Sequence, residues 1–165
     1  MKSALFISPL VEDQAALREI FARRKWTLCS ASTFAAGAEM LENRLVPVVI
    51  VERELPLGTW RDALAFLQET DAPPLVIVVS RAADERFWAE VLNLGGHDVL
   101  ATPLRAKEVE WALESAWQTV SHRSKSARHV RQDAQQRQDA HRYFPQPIEL
   151  IGRACGYRRA FPAFE

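Results

Sequence analysis

The sequence has few cysteines and no long apolar run, and each shortage excludes a class of protein. The two cysteines, Cys29 and Cys155, lie far apart and form no CxxC pair, so we expect neither a metal cage nor a disulfide framework. No apolar stretch approaches the ~20 residues that a membrane-spanning helix requires. The apolar segment near the N-terminus is too short for a secretory signal, and acids follow it directly. We therefore expect a cytoplasmic protein without membrane contact.

The chain also lacks net charge, but this balance hides two segments of opposite sign. Residues 1–120 hold 12 Lys+Arg and 17 Asp+Glu, a net of −5, whereas residues 121–165 hold 9 and 4, a net of +5. A length of 165 residues favours one domain plus an extension. We expect a domain at 1–120, a basic helical extension or linker at 121–143, and a poorly ordered, proline-containing tail at 144–165.

Apolar runs of strand length alternate with helical patterns from residue 3 to residue 120. The predicted strands are residues 3–8, 26–30, 48–51, 75–79 and 99–101, and a helical repeat of apolar residues follows each one. The runs at 48–51 and 75–79 are wholly apolar, which is typical of parallel strands covered on both faces. This alternation predicts a flavodoxin-like, doubly wound parallel sheet in (βα)5 order, followed by an extended C-terminal helix.

A doubly wound sheet places its functional site at the carboxyl ends of its strands. Four polar residues are expected at that edge: Ser8, Glu52, Ser80 and Thr102. Glu52 is the most informative of them, because it ends an apolar strand with a carboxylate and Pro56 follows four residues later.

Three segments, taken in order, resemble the receiver domain of two-component response regulators. VVIVERELP (48–56) resembles the third strand, which ends on the phosphorylated aspartate, with the family's proline four positions later. PPLVIVVS (73–80) resembles the fourth strand, and LGGHDVLATPL (94–104) resembles the glycine turn, fifth strand and Lys-Pro segment. The resemblance spans roughly residues 3–120. It implies a non-enzymatic domain that acts in a phosphorelay by contacting a signalling kinase or an output protein.

The residues that carry phosphoryl transfer in that family are mostly replaced in this chain. Glu52 stands at the phosphoacceptor position in place of aspartate, and only Ser80 keeps its expected hydroxyl. The vestigial site comprises Ser8 and Pro9 in place of the acidic pair, Ser80, Thr102 in place of the lysine, and Pro103 after it. The aromatic switch position of the fifth strand holds Val99.

These replacements remove the chemistry that the reaction needs. Aspartyl phosphorylation depends on a divalent cation, and Mg²⁺ usually takes one or two carboxylates as ligands. A serine and a proline supply no negative charge, and Glu12 and Asp13 are most simply interpreted as first-turn helix acids. We therefore expect no phosphorylation, no metal ion and no cofactor.

Two interpretations of Glu52 stay open. Its charge can mimic a phosphorylated site and hold the domain in an activated shape. Alternatively, it simply pairs with Arg53, Arg81 or a backbone amide at the edge of the sheet.

Self-association is expected along the last helix, because receivers typically pair through their fourth helix, fifth strand and fifth helix. Trp111 falls outside the apolar stripe of its helix and is a possible interface residue. Val120, Ala127 and Val130 form a thin apolar seam along the extension, which suits a weak homodimer or a solvated linker. Nucleic-acid binding by this basic helix is not expected, although not excluded, because it lacks interleaved aromatics and a helix-turn-helix.

Two further interpretations remain. Residues 150–153 faintly resemble the start of the ATPase module of sigma-54-dependent activators, which implies a receiver once linked to a transcription-activating output domain. The rival function is a flavodoxin-like small-molecule-binding protein or enzyme. A deep pocket of polar groups near Ser8, Glu52 and Ser80 favours this rival, whereas a shallow edge favours the receiver.

Overall fold

The computed structural model describes residues 2–143, without the side chains of 133 and 136–143. The strands and helices follow in this order: β1 Ser3–Ile7, α1 Val11–Ala22, β2 Thr27–Ala31, α2 Phe34–Asn43, β3 Val48–Glu52, β4 Glu54–Leu55, β5 Gly58–Thr59, α3 Trp60–Gln68, β6 Leu75–Ser80, α4 Glu85–Asn93, β7 Asp98–Ala101 and α5 Ala106–Tyr143. Five strands form one parallel sheet in the order β2-β1-β3-β6-β7. The flavodoxin-like doubly wound fold predicted from the sequence is confirmed.

Two apolar clusters occupy the two faces of this sheet. Successive side chains of a strand point to opposite faces, so Ile50 and Ile77 join one cluster with Leu113 of α5, while Val49 and Val78 join the other. Every residue of β3 and β6 is buried, which explains why both strands are apolar up to their last residues, Glu52 and Ser80.

Helix ends follow the local sequence signals. Thr33 caps α2 by accepting a hydrogen bond from the amide of Ala36 at 3.2 Å, as its position predicts. Asp84 caps α4 in the same way through the amide of Phe87. Gly95 follows the end of α4 with a φ of 97°, a conformation that favours glycine.

A short antiparallel hairpin, β4–β5, was not predicted. It leaves the sheet directly after Glu52 and returns to α3, since the amide of Trp60 donates to the carbonyl of Arg53. Leu57 in its turn is 93% exposed. The hairpin therefore begins directly after the strand end that carries Glu52.

Helix α5 spans the predicted end of the domain at residue 120. All side chains that the structure describes between Ser124 and Gln135 are exposed. None of the helices within the described range is both long and apolar enough to cross a membrane. The tail at 144–165 and its faint ATPase-module resemblance lie outside the described residues.

Candidate functional site at the carboxyl ends of the strands

Parallel pairing brings the predicted polar residues to one edge of the sheet. Ser8 follows β1, Glu52 ends β3, Ser80 ends β6 and Thr102 follows β7. The amide of Thr102 donates to the carbonyl of Ser80 at 3.2 Å, which joins two of these strand ends directly. A cleft of about 530 Å³ opens at this edge, and Pro9, Glu52 and Ser80 are among its lining residues.

Ser8 is fully buried and its polar groups are already used locally. Its Oγ accepts from the amide of Leu10 at 3.1 Å, and its carbonyl accepts from Nε2 of Gln14 at 2.6 Å. Pro9 carries no side-chain ligand. Ser8 and Pro9 therefore hold the start of α1 in place and offer no carboxylate to a cation.

Ser80 and Thr102 are also without a charged partner at this edge. Ser80 Oγ accepts from the amide of Ala82 at 3.2 Å and is buried. Thr102 is half-buried and precedes Pro103 through a cis peptide bond. His97 lies at the other end of the sheet, where its amide bonds to Val76 and its ring contacts Ser115, so it cannot activate Ser80.

Glu52 is buried, with only 5% of its surface exposed. Burial raises its pKa to about 7, and the nearby Asp13 carboxylate adds to the rise. The backbone amide of Arg53 and the charge of Arg81 oppose this rise in the pKa. The Oε2 atom has no hydrogen-bond partner.

Neither of the arginines considered as partners of Glu52 forms an ion pair with it among the described residues. Arg53 pairs with Glu54 at 3.6 Å, and its guanidinium lies 4.4 Å from the centre of the Phe87 ring. Arg81 pairs with Glu12 at 2.5 Å. The backbone amide of Arg53 donates to the carbonyl of Val79 at 2.9 Å, and beside Glu52 it acts only to lower the pKa of that carboxyl.

Asp13 is a buried acid of this edge that the sequence analysis interpreted only as a first-turn residue of the helix. It is 7% exposed, its Oδ2 has no partner, and burial raises its pKa against the opposing charge of Arg81. Its exposed neighbour Glu12 is the simple first-turn acid that was expected. The spacing was a usable signal, because Asp13, Leu17 and Phe21 recur every four residues along the buried face of α1.

The residues at this edge do not fit a magnesium ion. Asp13 and Glu52 offer two unpartnered carboxylate oxygens, but neither atom has accessible surface facing the cleft. Mg²⁺ keeps several of its waters, so its ligands must face open space. Across the part of the chain that the structure describes, no group of three or more His, Cys, Asp or Glu residues is arranged to hold a metal ion.

The predicted interface residues differ in exposure. Trp111 is 70% exposed and Val130 is 68% exposed, and Ala127 is exposed as well. Val120, in contrast, packs against the core cluster of its own domain, so only part of it is open to a partner. The seam expected along α5 therefore has fewer fully open apolar residues than the sequence indicates.

Comparisons by sequence find no matching family model and no matching curated protein. Solved structures match the fold closely. The signal receiver domain of an HD domain-containing protein from Pseudomonas fluorescens Pf-5 has a TM-score of 0.68 at 20% identity, covering 75% of this chain and 92% of that one. This chain has the receiver-domain fold.

Two further receiver domains give the same result. The beryllofluoride-activated NtrC4 receiver domain dimer has a TM-score of 0.67 at 17% identity, covering 73% of this chain and 99% of that one. A response regulator receiver domain protein from Clostridium thermocellum has a TM-score of 0.66 at 16% identity, covering 75% and 98%. The receiver resemblance inferred from the strand-end residues is confirmed at the level of the fold.

Proposed function

We propose that this chain is an atypical receiver domain that takes part in phosphorelay-type signal transduction through protein contacts, without being phosphorylated. The observation that carries this proposal is the environment of Glu52. It stands at the phosphoacceptor-equivalent position of a receiver fold, yet it is buried and half-neutral at pH 7.

Phosphoryl transfer to Glu52 is disfavoured by the residues around it. A nucleophilic carboxylate must be ionised and open to the phosphodonor, whereas Glu52 is 5% exposed and its pKa is raised to about 7. The developing charge on the phosphoryl oxygens also needs a cation. Ser8, Pro9 and Thr102 supply neither a metal-binding acid nor a lysine.

The same environment argues against Glu52 as a permanent mimic of a phosphorylated aspartate. A permanent mimic needs a charge that persists at physiological pH. With a pKa of about 7, the carboxyl is protonated in about half of the molecules at neutral pH. Of the two interpretations left open by the sequence, a residue that serves the local packing and electrostatics of the edge is favoured.

The proposed partners are proteins. A signalling kinase or an output protein would contact the surface formed by α4, β7 and α5, where Trp111 and Trp88 are the large exposed apolar side chains. The similar NtrC4 receiver domain forms a dimer in its beryllofluoride-activated state, and a homodimer through the same face is our proposal for this chain. We propose a cytoplasmic, non-enzymatic role.

A small-molecule site at the cleft is the second candidate, because a volume of about 530 Å³ lies within the usual range of ligand pockets. The hydroxyls of Ser8 and Ser80 are already bonded to backbone amides, however. Among the charged residues that line the cleft, Arg53 pairs with Glu54 and Arg81 pairs with Glu12, which leaves few of them free to orient a ligand and favours the receiver role.

A phosphate-affinity gel tests the first part of the proposal. After incubation with acetyl phosphate and Mg²⁺, we expect one unshifted band. A pull-down with the intact chain, carried out with and without acetyl phosphate, tests the second part. We expect partner recovery that does not depend on the phosphodonor, and recovery that requires it would contradict the proposal.

A further inference from the structure

We propose that the buried pair Asp13–Glu52 is a proton-responsive switch: the pair holds one proton in the described arrangement, and loss of that proton draws Arg81 from Glu12 towards Glu52. This inference rests on the proposed function, because it supplies a signal at an edge that phosphorylation does not use. The input class is the hydrogen ion, and the responding elements are the start of α1 and the segment after β6.

The geometry of the pair requires a proton. Asp13 and Glu52 are more than nine-tenths buried, and each keeps one carboxyl oxygen without a hydrogen-bond partner. Asp13 lies in the first turn of α1, which follows β1, and Glu52 ends the neighbouring parallel strand β3, so both stand at the same edge of the sheet. The charge of Asp13 raises the pKa of Glu52. Two uncompensated negative charges in a buried site are costly, so one carboxyl stays neutral.

The charged groups around the pair come from three elements. The start of α1 contributes Glu12, the segment after β3 contributes Arg53 and Glu54, and the segment after β6 contributes Arg81. Glu12 disfavours ionisation of Asp13, and Glu54 disfavours ionisation of Glu52. Arg81 favours ionisation of both.

Arg81 is the side chain that can move to balance the negative charge formed when Glu52 loses its proton. Arg53 is held by Glu54 and by its stacking on the Phe87 ring. Arg81, in contrast, contacts Glu12 from a largely exposed position, with 60% of its side chain open. Exposed ion pairs exchange partners at little cost, so a newly ionised Glu52 competes with Glu12 for the same guanidinium.

The switch acts in the physiological range of pH. Because the pKa of Glu52 is about 7, its protonated share falls from roughly nine-tenths to roughly one-tenth between about pH 6 and pH 8. That change places a negative charge at the position where phosphorylation adds one in other receivers. Movement of Arg81 would couple this change of charge to α1 and to the segment that leads into α4.

Carboxyl-detected NMR of the full chain, titrated across neutral pH, tests this inference. We expect the side-chain carboxyl of Glu52 to titrate with a midpoint near 7, and the amides of Glu12 and Arg81 to shift with the same midpoint. Asp13→Asn should lower the Glu52 midpoint by about one unit, because it removes a like charge. Glu52→Gln should abolish the shared step at both amides.

Two controls make the result specific. Glu39→Gln removes an exposed acid of α2 and should leave the Glu52 midpoint unchanged. Arg81→Gln should raise that midpoint, because it removes the charge that favours ionisation. The amide spectrum of each variant reports directly whether the protein is folded, so a change in the Glu52 midpoint is distinguished from a change in folding.

A Glu52 midpoint in the range of an ordinary glutamate would overturn the switch, and so would amide shifts at Arg81 that persist in Glu52→Gln. A midpoint that falls sharply on addition of Mg²⁺ would also overturn it, since the pair would then be a metal site. Mass measurement decides by itself whether the chain is phosphorylated, so the two failures are distinguished: an unchanged mass together with an ordinary Glu52 midpoint, or with amide shifts that persist in Glu52→Gln, overturns the switch alone.

Discussion

Arg81 Nη2 lies 2.5 Å from Oε1 of Glu12, so an ion pair joins the segment after β6 to the first turn of α1. It stands beside the buried acids Asp13 and Glu52, and its charge acts on both of them. Arg81 donates this hydrogen bond to the exposed Glu12, so Glu52 has no ionic partner among the residues that the structure describes. The pH behaviour of the domain follows from this arrangement.

Stability should fall as pH rises towards neutrality. The folded pKa of Glu52 is about 7, above its ordinary value of 4.5, so the folded state binds more protons than the unfolded state between these values. Its favourable contribution is therefore complete below pH 4.5 and is lost as pH rises through 7. We expect denaturant melts to show a decrease on the order of 1–3 kcal/mol over this range.

Glu52→Gln is the matched variant for that measurement, because it keeps the shape of the side chain and cannot ionise. It should flatten the decrease and be more stable than the original chain above pH 7. Equal pH dependence in the two proteins would show that other groups cause the effect and that Glu52 ionises normally.

A substitution in the core should lower the free energy of unfolding far more than a substitution on the surface of the hairpin. Ile77→Ala should cost roughly 2–5 kcal/mol, because it empties a fully buried position of β6 that packs with Ile50 and Leu113. Leu57→Ala removes a comparable volume from a site that is 93% exposed, and should change stability by less than about 0.5 kcal/mol. A larger loss at Leu57 than at Ile77 would disprove this assignment of the core.

Any homodimer should depend on Trp111 and on the extension of α5. Ala127 and Val130 bury little area, so the extension by itself should pair weakly. Trp111, which is 70% exposed, adds the large apolar surface that a standard interface of about 800 Å² per partner needs. Light scattering should therefore show a lower dimer fraction for Trp111→Ala and for a chain that ends at residue 120.

The exposed Trp88, which is 47% open on α4, offers a second probe of the same face. Loss of dimer in Trp88→Ala would extend the interface to α4. A full-length chain that stays monomeric at high concentration would refute the dimer and leave the extension as a linker. A dimer unaffected by all three changes would place the interface on another surface.

The fold was predictable because its central strands carry an unmistakable pattern. Val48–Val51 and the run at 75–79 are apolar on both faces, and only a sheet covered by helices on both sides buries such runs. The β4–β5 hairpin was missed because strands of two residues have no periodicity to detect. The edge residues were located from the ends of the strands alone.

The electrostatics of the site were less predictable. Glu12 and Asp13 are adjacent in sequence and both suit a first helical turn, yet one is exposed and the other is buried against the strand-end edge. Whether Arg53 and Arg81 bind Glu52 depends on how three separate loops converge. Local sequence carries no information on that choice, so the partner of Glu52 stayed open until the structure showed where the two arginines lie.

The central claim is that this receiver fold does not accept a phosphoryl group, and intact-mass measurement tests it most directly. The full chain and Glu52→Gln are incubated with acetyl phosphate and Mg²⁺ at a pH above 7, where Glu52 is mostly ionised and phosphorylation has its best chance. We predict an unchanged mass for both proteins. A mass increase of one phosphoryl group in the original chain, absent from Glu52→Gln, would contradict the account.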